Sequence, residues 1–200
     1  MDFRAPRQAV DIMSGFNCPW YIAGGWAIDL YLGRERRTHD DLDIAAYRSD
    51  QLVLQKHLAG WNLMKFVGPD GAEYLEPWSS GEWLELPVFQ IVLELNSEGY
   101  PALEVLLNES SGDQWLWRKN LEVRYPISRI GMRSVDGIPY LSPEIVLLYK
   151  SRHVVGGSIN EETDQHDFND VRDILDHERR TWLRSTLQTW YPDHPWIVQL

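Results

Sequence analysis

Two aspartates, Asp41 and Asp43, are spaced two residues apart in a segment whose apolar residues predict a β-strand. At that spacing both side chains point to the same face of the strand. Carboxylates held side by side repel each other, and a hard divalent cation with oxygen ligands is the usual partner that relieves the repulsion. The pair therefore predicts a metal site.

A glycine turn precedes the aspartate pair. The apolar run at residues 20–22 ends at Gly24 and Gly25, and a helix is predicted from Trp26 to Leu32 with Gly33 as its C-cap. Paired glycines at a helix N-terminus leave backbone N–H groups open to an anion such as phosphate. A phosphate cradle beside a metal-binding acid pair is the minimum apparatus for moving a phosphoryl or nucleotidyl group.

Residues 20–44 resemble the nucleotidyltransferase superfamily, and most closely its aminoglycoside 2''-nucleotidyltransferase-like branch. The motifs that carry the resemblance are residues 24–29, 32–34, 37 and 39–43. Residues 104–108 and 139–150 also resemble uncharacterised members, more loosely. The specific part of the resemblance therefore covers about twenty-five residues of the chain.

This resemblance implies an α+β (mixed) fold, in which a twisted mixed sheet with flanking helices is followed by a helical C-terminal lobe. The expected division is a sheet domain at residues 1–140 and a helical lobe at residues 141–200. The implied activity is Mg²⁺-dependent transfer of a nucleoside monophosphate, in first place AMP, from ATP or another NTP to a hydroxyl group. The implied acceptor is a small cationic molecule such as an aminoglycoside, which would make the protein an antibiotic-resistance enzyme.

The resemblance also implies that Asp41, Asp43 and a third acid hold two Mg²⁺ ions. Glu104 is the candidate for the third acid, because it interrupts the apolar strand predicted at residues 102–107. A lone carboxylate there is costly unless it is paired or metal-bound. Relatives commonly have aspartate at that place, so the longer side chain is a departure from the family pattern. Glu109 is the alternative, near the end of the strand and on its opposite face.

Five residues are implied to bind the nucleotide. Gly24, Gly25 and the N–H of Trp26 would contact the phosphates, and Arg37 would grip the triphosphate or brace the acids. Lys150 resembles the lysine that the superfamily carries on the first helix after the sheet and directs at the phosphates. The alternatives are a solvated basic loop for Arg37 and a solvated helix position for Lys150.

Three further acids have two interpretations each. Glu144 could be the base that activates the acceptor hydroxyl, or an acid in the first turn of a helix that the macrodipole favours. Asp164 and Asp167 lie on one side of a predicted helix and could hold Lys150 or a substrate amine. The acidic stretch at residues 73–85 could be an acceptor-binding rim or an ordinary acidic loop.

The composition limits the possible partners. The 200 residues include 30 acidic and 19 basic side chains, for a formal net charge of -11, which argues against a nucleic-acid partner and suits a cationic substrate. A single cysteine, Cys18, fits a reducing cytoplasm, and the sequence shows no signal peptide and no membrane span. We therefore expect a cytoplasmic protein that acts without a membrane. The sequence leaves monomer and dimer open.

Two other functions remain open. One is a toxin-type nucleotidyltransferase that modifies tRNA or protein. The net negative charge argues against tRNA as its substrate. The other is a catalytically silent relative that binds nucleotide as a sensor or scaffold, against which the intact acid pair argues. Acceptor identity depends on the rim residues, where the sequence is least informative.

The remaining elements follow from periodicity and turn residues. The sequence predicts helices at 6–17, 50–59 capped by Ser49, 143 to about 156 with Ser142 as N-cap and Pro143 at the first position, 164–177 capped by Thr163, and 178–190. It predicts strands at 61–67 and 88–95, and a strand at 123–134 that pairs with 138–141 across Asp136 and Gly137. Residues 68–71 are predicted as a turn, 110–113 as a loop, and 191–200 as a docked tail.

Overall fold

The computed structural model describes residues 3–68, 74–94, 102–156 and 160–200. The helices are α1 (Arg4–Ile12), α2 (Gly24–Leu32), α3 (Gln51–His57), α4 (Ile127–Ile130), α5 (Pro143–Gly156), α6 (Glu161–Val171) and α7 (His177–Trp190). The strands are β1 (Trp20–Ile22), β2 (Asp41–Tyr47), β3 (Asn62–Val67), β4 (Tyr74–Pro77), β5 (Gln90–Glu94), β6 (Ala102–Ser111), β7 (Gln114–Trp117), β8 (Asn120–Pro126), β9 (Gly131–Arg133) and β10 (Pro139–Leu141).

The strands form a mixed sheet in the order β4-β3-β5-β6-β2-β1-β10-β9. Strand β2 pairs with β6 in parallel, β1 pairs with β10 in parallel, and the other described pairs are antiparallel. The end of β6 continues into a hairpin made with β7 and β8. The mixed α+β fold class predicted from the sequence is confirmed.

The pairing of β2 with β6 places the candidate acids next to each other. Asp43 lies opposite Glu104 in this register. The alternate residues Leu42 and Ile44 of β2 are buried in the core, as are Leu103 and Val105 of β6. Because side chains alternate between the faces of a strand, burying these residues turns Asp43 and Glu104 to the other face of the sheet.

The largest error in the sequence prediction concerns residues 110–134. Strand β6 extends to Ser111, and β7 and β8 form a hairpin that was not predicted. The strand predicted at 123–134 is wrong, because β8 ends at Pro126, after which α4 turns the chain into the short strand β9. Proline has no N–H to continue a ladder, so it commonly ends a strand.

Two predicted helix caps are also wrong. Ser49 lies inside the 3₁₀ turn Arg48–Asp50, which precedes α3. Thr163 lies inside α6, whose first turn carries acids that favour an earlier start at the positive end of the helix dipole. The first helix ends at Ile12 rather than at residue 17, and Gly15 follows it with φ +84°.

Two other sequence predictions concern the segments at residues 73–85 and 68–71. The acidic stretch at 73–85 contains strand β4, which pairs with β3, so it is not only a loop. The predicted turn at 68–71 lies mostly outside the described residues, since only Gly68 is described.

Several of the local predictions are confirmed. Gly33 is the left-handed C-cap of α2, with φ +70°. Strands β9 and β10 pair across Asp136 and Gly137, where Gly137 has φ +81°. The C-terminal tail is docked, because Trp196 is fully buried and its ring stacks on Phe168 at 4.1 Å between centroids.

Helices α5, α6 and α7 follow the last strand, and α5 contacts α2, α6 and α7. The N-terminal part of α5 is buried, including Ile145, Leu147 and Leu148. Among the helices of the described residues, none combines the length and apolar character that a membrane span requires. The division into two domains near residue 140 stays a prediction.

Candidate active site

The start of α2 presents open backbone donors, as the glycine motif predicts. The N–H of Ala27 donates to the carbonyl of Ala23 at 3.2 Å, which is the first bond of the helix. The N–H groups of Gly24, Gly25 and Trp26 therefore have no acceptor within the helix. The N-cap residue, Ala23, makes no side-chain cap either, so this end of the helix suits an anion.

Both glycines are required by close neighbours. Gly24 has φ +58°, and a Cβ placed there would lie 2.3 Å from Oδ2 of Asp43. A Cβ on Gly25 would lie 2.4 Å from a guanidinium nitrogen of Arg37 and 2.7 Å from the ring of His39. The N–H of Ala23 also donates to the carbonyl of Asp43 at 2.8 Å. The glycine turn therefore packs directly against Asp43.

The carboxylates influence one another. Burial, followed by the charges of Asp41 and Glu104, raises the pKa of Asp43 to about 7, although Lys150 and Arg118 act in the opposite direction. The pKa of Glu104 is also raised, first by burial and then by the charge of Asp41, against the hydrogen bond from Gln90. The three acids therefore carry negative charge that the protein only partly compensates.

The structure distinguishes the two candidates for the third acid. Glu104 lies on the same face of β6 as Leu106 and Asn108, which line the cavity beside the aspartates. Glu109 lies on the opposite face, where its Oε1 accepts from Nε of Arg48 at 2.7 Å. These contacts favour Glu104, whose Oε2 accepts a hydrogen bond from Gln90.

The carboxylates of Asp41, Asp43 and Glu104 are chemically suited to bind a divalent cation. In the described parts of the chain, no set of three or more His, Cys, Asp or Glu side chains is close enough together to hold a metal ion. Asp41 and Asp43 nevertheless supply the oxygen ligands that Mg²⁺ prefers. The neighbouring carboxylates that help to raise the pKa of Asp43 carry the negative charge that such an ion would neutralise. Glu104 faces the same side, with one oxygen held by Gln90.

Asp43→Asn should stabilise the metal-free protein in a pH-dependent way. The folded-state pKa of Asp43 is raised, so ionisation costs wild-type stability as pH rises from about 4 to about 7. The variant loses this cost. We expect its advantage over wild type to grow by about 4 kcal/mol between pH 4 and pH 8, measured by urea unfolding in EDTA.

The exposed Asp11→Asn is the control for Asp43→Asn, and it should show no such trend. A stability difference between Asp43→Asn and wild type that is flat from pH 4 to 8 would contradict the assignment.

A cavity of about 300 Å³ opens beside the aspartates. It is lined by the glycine turn, the first half of β2, the middle of β6, the turn between β7 and β8, and parts of α5 and α6. Its charged and polar lining residues are Arg37, Asp40, Asp41, Asp43, Asn108, Arg118, Tyr149, Lys150, Asn160, Thr163 and Asp164.

The cavity thus brings together most of the predicted nucleotide-binding residues. Gly24, Gly25, Arg37 and Lys150 all line it. The side chain of Trp26 does not, but its Nε1 donates to the carbonyl of Asp41 at 3.1 Å and its ring lies 4.2 Å from that of His39. Trp26 therefore holds the start of β2 against α2.

Lys150 is held by the acids of α6. Its Nζ forms an ion pair with Asp164 and lies 2.8 Å from Oδ2 of Asp167. One interpretation of these acids, that they hold Lys150, is confirmed. Arg37 contributes a longer contact to Asp167, at 4.0 Å. The amine group of Lys150 therefore reaches the cavity from a fixed position on the helical side.

Arg36 links α2 to α6. Its Nε donates to Asp29 at 2.6 Å, and its terminal nitrogens donate to Asp167 at 2.7 Å and Asp170 at 2.6 Å. His39 Nε2 lies 2.7 Å from the other oxygen of Asp29. Burial alone would raise the pKa of Asp29, but the hydrogen bonds from His39 and Arg36 hold it below its ordinary value. Arg36 therefore braces buried acids and does not line the cavity.

Arg36→Met should destabilise the protein by about 3 kcal/mol, because it leaves the fully buried carboxylates of Asp29 and Asp167 without their main partner. Urea unfolding at pH 7 measures the effect. The exposed Arg34→Met removes the same charge from the same loop and should change stability by less than about 0.5 kcal/mol. Equal stability of the two variants would contradict the bracing role.

Glu144 is placed away from the cavity lining. It is fully buried at the start of α5, where its Oε1 accepts from the hydroxyl of Tyr125 at 3.0 Å and its Oε2 lies 3.2 Å from Nε of Arg179. Burial raises its pKa despite these partners. Its contacts join β8 and α7 to α5, so we assign no role as a base to Glu144.

Asn108 and Arg118 line the cavity but were not predicted from the sequence as site residues. Asn108 accepts from Nε1 of Trp115 at 3.0 Å and from the hydroxyl of Tyr149 at 3.2 Å. Arg118 lies in the two-residue turn between β7 and β8. The alternation of Trp115 and Trp117 after the turn at Gly112 was the available signal for this hairpin.

Comparison with known proteins matches the N-terminal part of the chain to one family. A family model described as aminoglycoside-2''-adenylyltransferase matches residues 7–64. A 2''-aminoglycoside nucleotidyltransferase of Escherichia coli is 38% identical over an 80-residue alignment that covers 35% of this chain and 45% of that protein. The chain thus matches less than half the length of this curated relative. The resemblance to the aminoglycoside 2''-nucleotidyltransferase-like branch is confirmed for the N-terminal part of the chain.

Solved structures extend the likeness of fold to nearly the whole chain. ANT(2'')-Ia in complex with adenylyl-2''-tobramycin has a TM-score of 0.63 at 15% identity, covering 95% of this chain and 98% of its own. The lincomycin-bound lincosamide antibiotic adenylyltransferase LnuA has a TM-score of 0.55 at 22% identity, covering 84% of this chain and 95% of its own. At these identities the comparison establishes the fold.

Proposed function

We propose that this protein transfers a nucleoside monophosphate, in first place AMP, from a Mg²⁺-bound NTP to a hydroxyl of a small cationic acceptor such as an aminoglycoside. One observation carries the proposal: the aspartate pair and the open N–H groups of α2 meet at one cavity of about 300 Å³. That arrangement combines a place for metal with a place for phosphate.

Each side of the cavity has its own role in the proposal. The N–H groups of Gly24, Gly25 and Trp26 bind oxygens of the triphosphate, and Arg37 adds positive charge beside them. Asp41 and Asp43 hold the divalent cations, with Glu104 as the third acid on the neighbouring strand. Two Mg²⁺ ions, when bound, supply activation of the acceptor hydroxyl and neutralisation of the leaving pyrophosphate.

The acceptor would bind at the acidic part of the cavity lining. Asp40 and Asp164 line the cavity in addition to the metal-binding acids, and the chain carries a net charge of -11. Negative potential around a cleft attracts a cationic ligand and raises its rate of association. The antibiotics bound by ANT(2'')-Ia and LnuA make aminoglycosides the first acceptors to test and lincosamides the second.

Pyrophosphate release tests this function. Each of the four common NTPs is incubated with Mg²⁺ and the protein, with and without a panel of aminoglycosides and lincosamides. We expect release that requires one acceptor class and one preferred nucleotide. Mg²⁺-dependent NTP binding without release would keep the nucleotide site but contradict a small antibiotic acceptor, and RNA and protein would be the next acceptors to test. Absence of NTP binding would overturn the proposal.

A further inference from the structure

Arg118 is fixed in an aromatic sandwich at the edge of the cavity. Its guanidinium carbon lies 3.9 Å from the ring centroid of Phe89 and 4.3 Å from that of Tyr149. Phe89 precedes β5 and Tyr149 belongs to α5, so two separate elements hold the side chain. A planar cation stacked between rings is oriented in advance, and little side-chain entropy remains to be lost when it binds a ligand.

The supports of this sandwich are themselves fixed. The hydroxyl of Tyr149 donates to Asn108 at 3.2 Å, and Asn108 also accepts from Trp115. The two-residue turn that carries Arg118 is closed by pairing of Trp117 with Asn120. The guanidinium therefore has a defined position relative to β6 and α5.

Two half-buried cations of the site region, Lys150 and Arg36, are already paired with carboxylates. Lys150 is bound to Asp164 and Asp167, and Arg36 is bound to three carboxylates. In the described part of the chain, the Nε of Arg118 is buried without a hydrogen-bond partner. Its charge acts on Asp43, beside which it lines the cavity.

We propose that Arg118 binds the phosphate chain of the NTP, at the phosphates that leave as pyrophosphate. The proposal rests on the proposed function and assigns a specific cation to its leaving group. A guanidinium presents a rigid fork of N–H donors that matches two phosphate oxygens, which an ammonium group cannot reproduce. Negative charge grows on the leaving pyrophosphate during transfer, so a donor oriented in advance stabilises the transition state.

Binding of inorganic tripolyphosphate and ATP, each with Mg²⁺, measured by calorimetry tests the assignment. We expect Arg118→Met to weaken binding of both ligands by the same factor, at least about tenfold, since a charge-assisted phosphate contact contributes about 1.5–3 kcal/mol. Arg118→Lys should weaken binding less. Lys119→Met removes the neighbouring exposed charge of the same turn and should leave both affinities unchanged.

The equal loss for the two ligands distinguishes phosphate recognition from a structural defect. A variant that lost only ATP affinity would have disturbed the nucleoside part of the site, and the assignment would be wrong. Arg118→Lys supplies the comparison if Arg118→Met does not fold. Wild-type affinity for tripolyphosphate in Arg118→Met or Arg118→Lys would overturn the role of Arg118 and leave the proposed function standing. A wild-type protein that binds neither ligand would overturn the proposed function itself.

Discussion

Asp41→Asn should lower the rate of nucleotidyl transfer by at least about 10²-fold, the loss that follows removal of one transition-state electrostatic contact. Asp41 is exposed at the start of β2 and lines the cavity, so its carboxylate is available to a metal ion. Asparagine keeps the shape of the side chain and removes its charge. The rate is measured as acceptor-dependent pyrophosphate release with saturating Mg²⁺ and NTP.

Loss of activity in Asp41→Asn should occur without loss of fold. The variant relieves repulsion with Asp43 in the metal-free protein, so its free energy of unfolding should equal or exceed that of wild type. Asp11→Asn carries the same chemical change on the exposed face of α1 and should retain full activity. An Asp41→Asn protein with the wild-type rate would end the metal-site hypothesis.

Gly24→Ala should abolish most of the activity through a single added methyl group. The new Cβ would lie 2.3 Å from Oδ2 of Asp43, a distance at which the carboxylate must move. Displacement of a reacting group by about 1 Å costs on the order of 10²-fold in rate. The φ of +58° adds a backbone cost of about 1 kcal/mol to stability. Transfer rate and urea unfolding measure the two effects separately.

Gly33→Ala is the matched control for this substitution. Gly33 ends the same helix with φ +70°, but a Cβ there would meet no atom within 4 Å. The control should therefore show the backbone cost in stability and keep nearly wild-type activity. If the two alanine variants lost activity equally, the close approach of Gly24 to Asp43 would have no functional role.

The part of the site that could be predicted from sequence is the part whose residues are close together in the chain. The glycine turn, the cap at Gly33 and the aspartate pair occupy residues 24–43, and each follows from local backbone rules. The parallel pairing of β2 with β6 then brings Glu104 opposite Asp43, sixty-one positions away in the chain. That register follows from the buried alternate residues of both strands.

Other features depended on contacts that local patterns do not encode. Arg118 lies at the cavity because a hairpin returns it between Phe89 and Tyr149, which are distant in sequence. Glu144 has the residue type of a base, but Tyr125 and Arg179 engage it from β8 and α7. Periodicity identifies the helix that carries a residue, whereas its role depends on the partners that the tertiary fold supplies.

The helix caps show the same limit on a smaller scale. Ser49 and Thr163 are favourable cap residues by type, and both are followed by helical sequence. The observed starts are shifted because a 3₁₀ turn precedes α3, and because the acids at the start of α6 are favoured in a first turn. Intrinsic cap preference is worth about 1 kcal/mol and is readily outweighed by such neighbours.

Mass spectrometry of the acceptor tests the central claim most directly. The purified protein is incubated with Mg²⁺, one NTP and one aminoglycoside or lincosamide, and the acceptor mass is measured against reactions with EDTA and with Asp41→Asn. We predict that one acceptor class gains the mass of one nucleoside monophosphate in the wild-type reaction alone. An acceptor panel that stays unmodified while the folded protein binds the Mg²⁺-bound NTP would contradict the account.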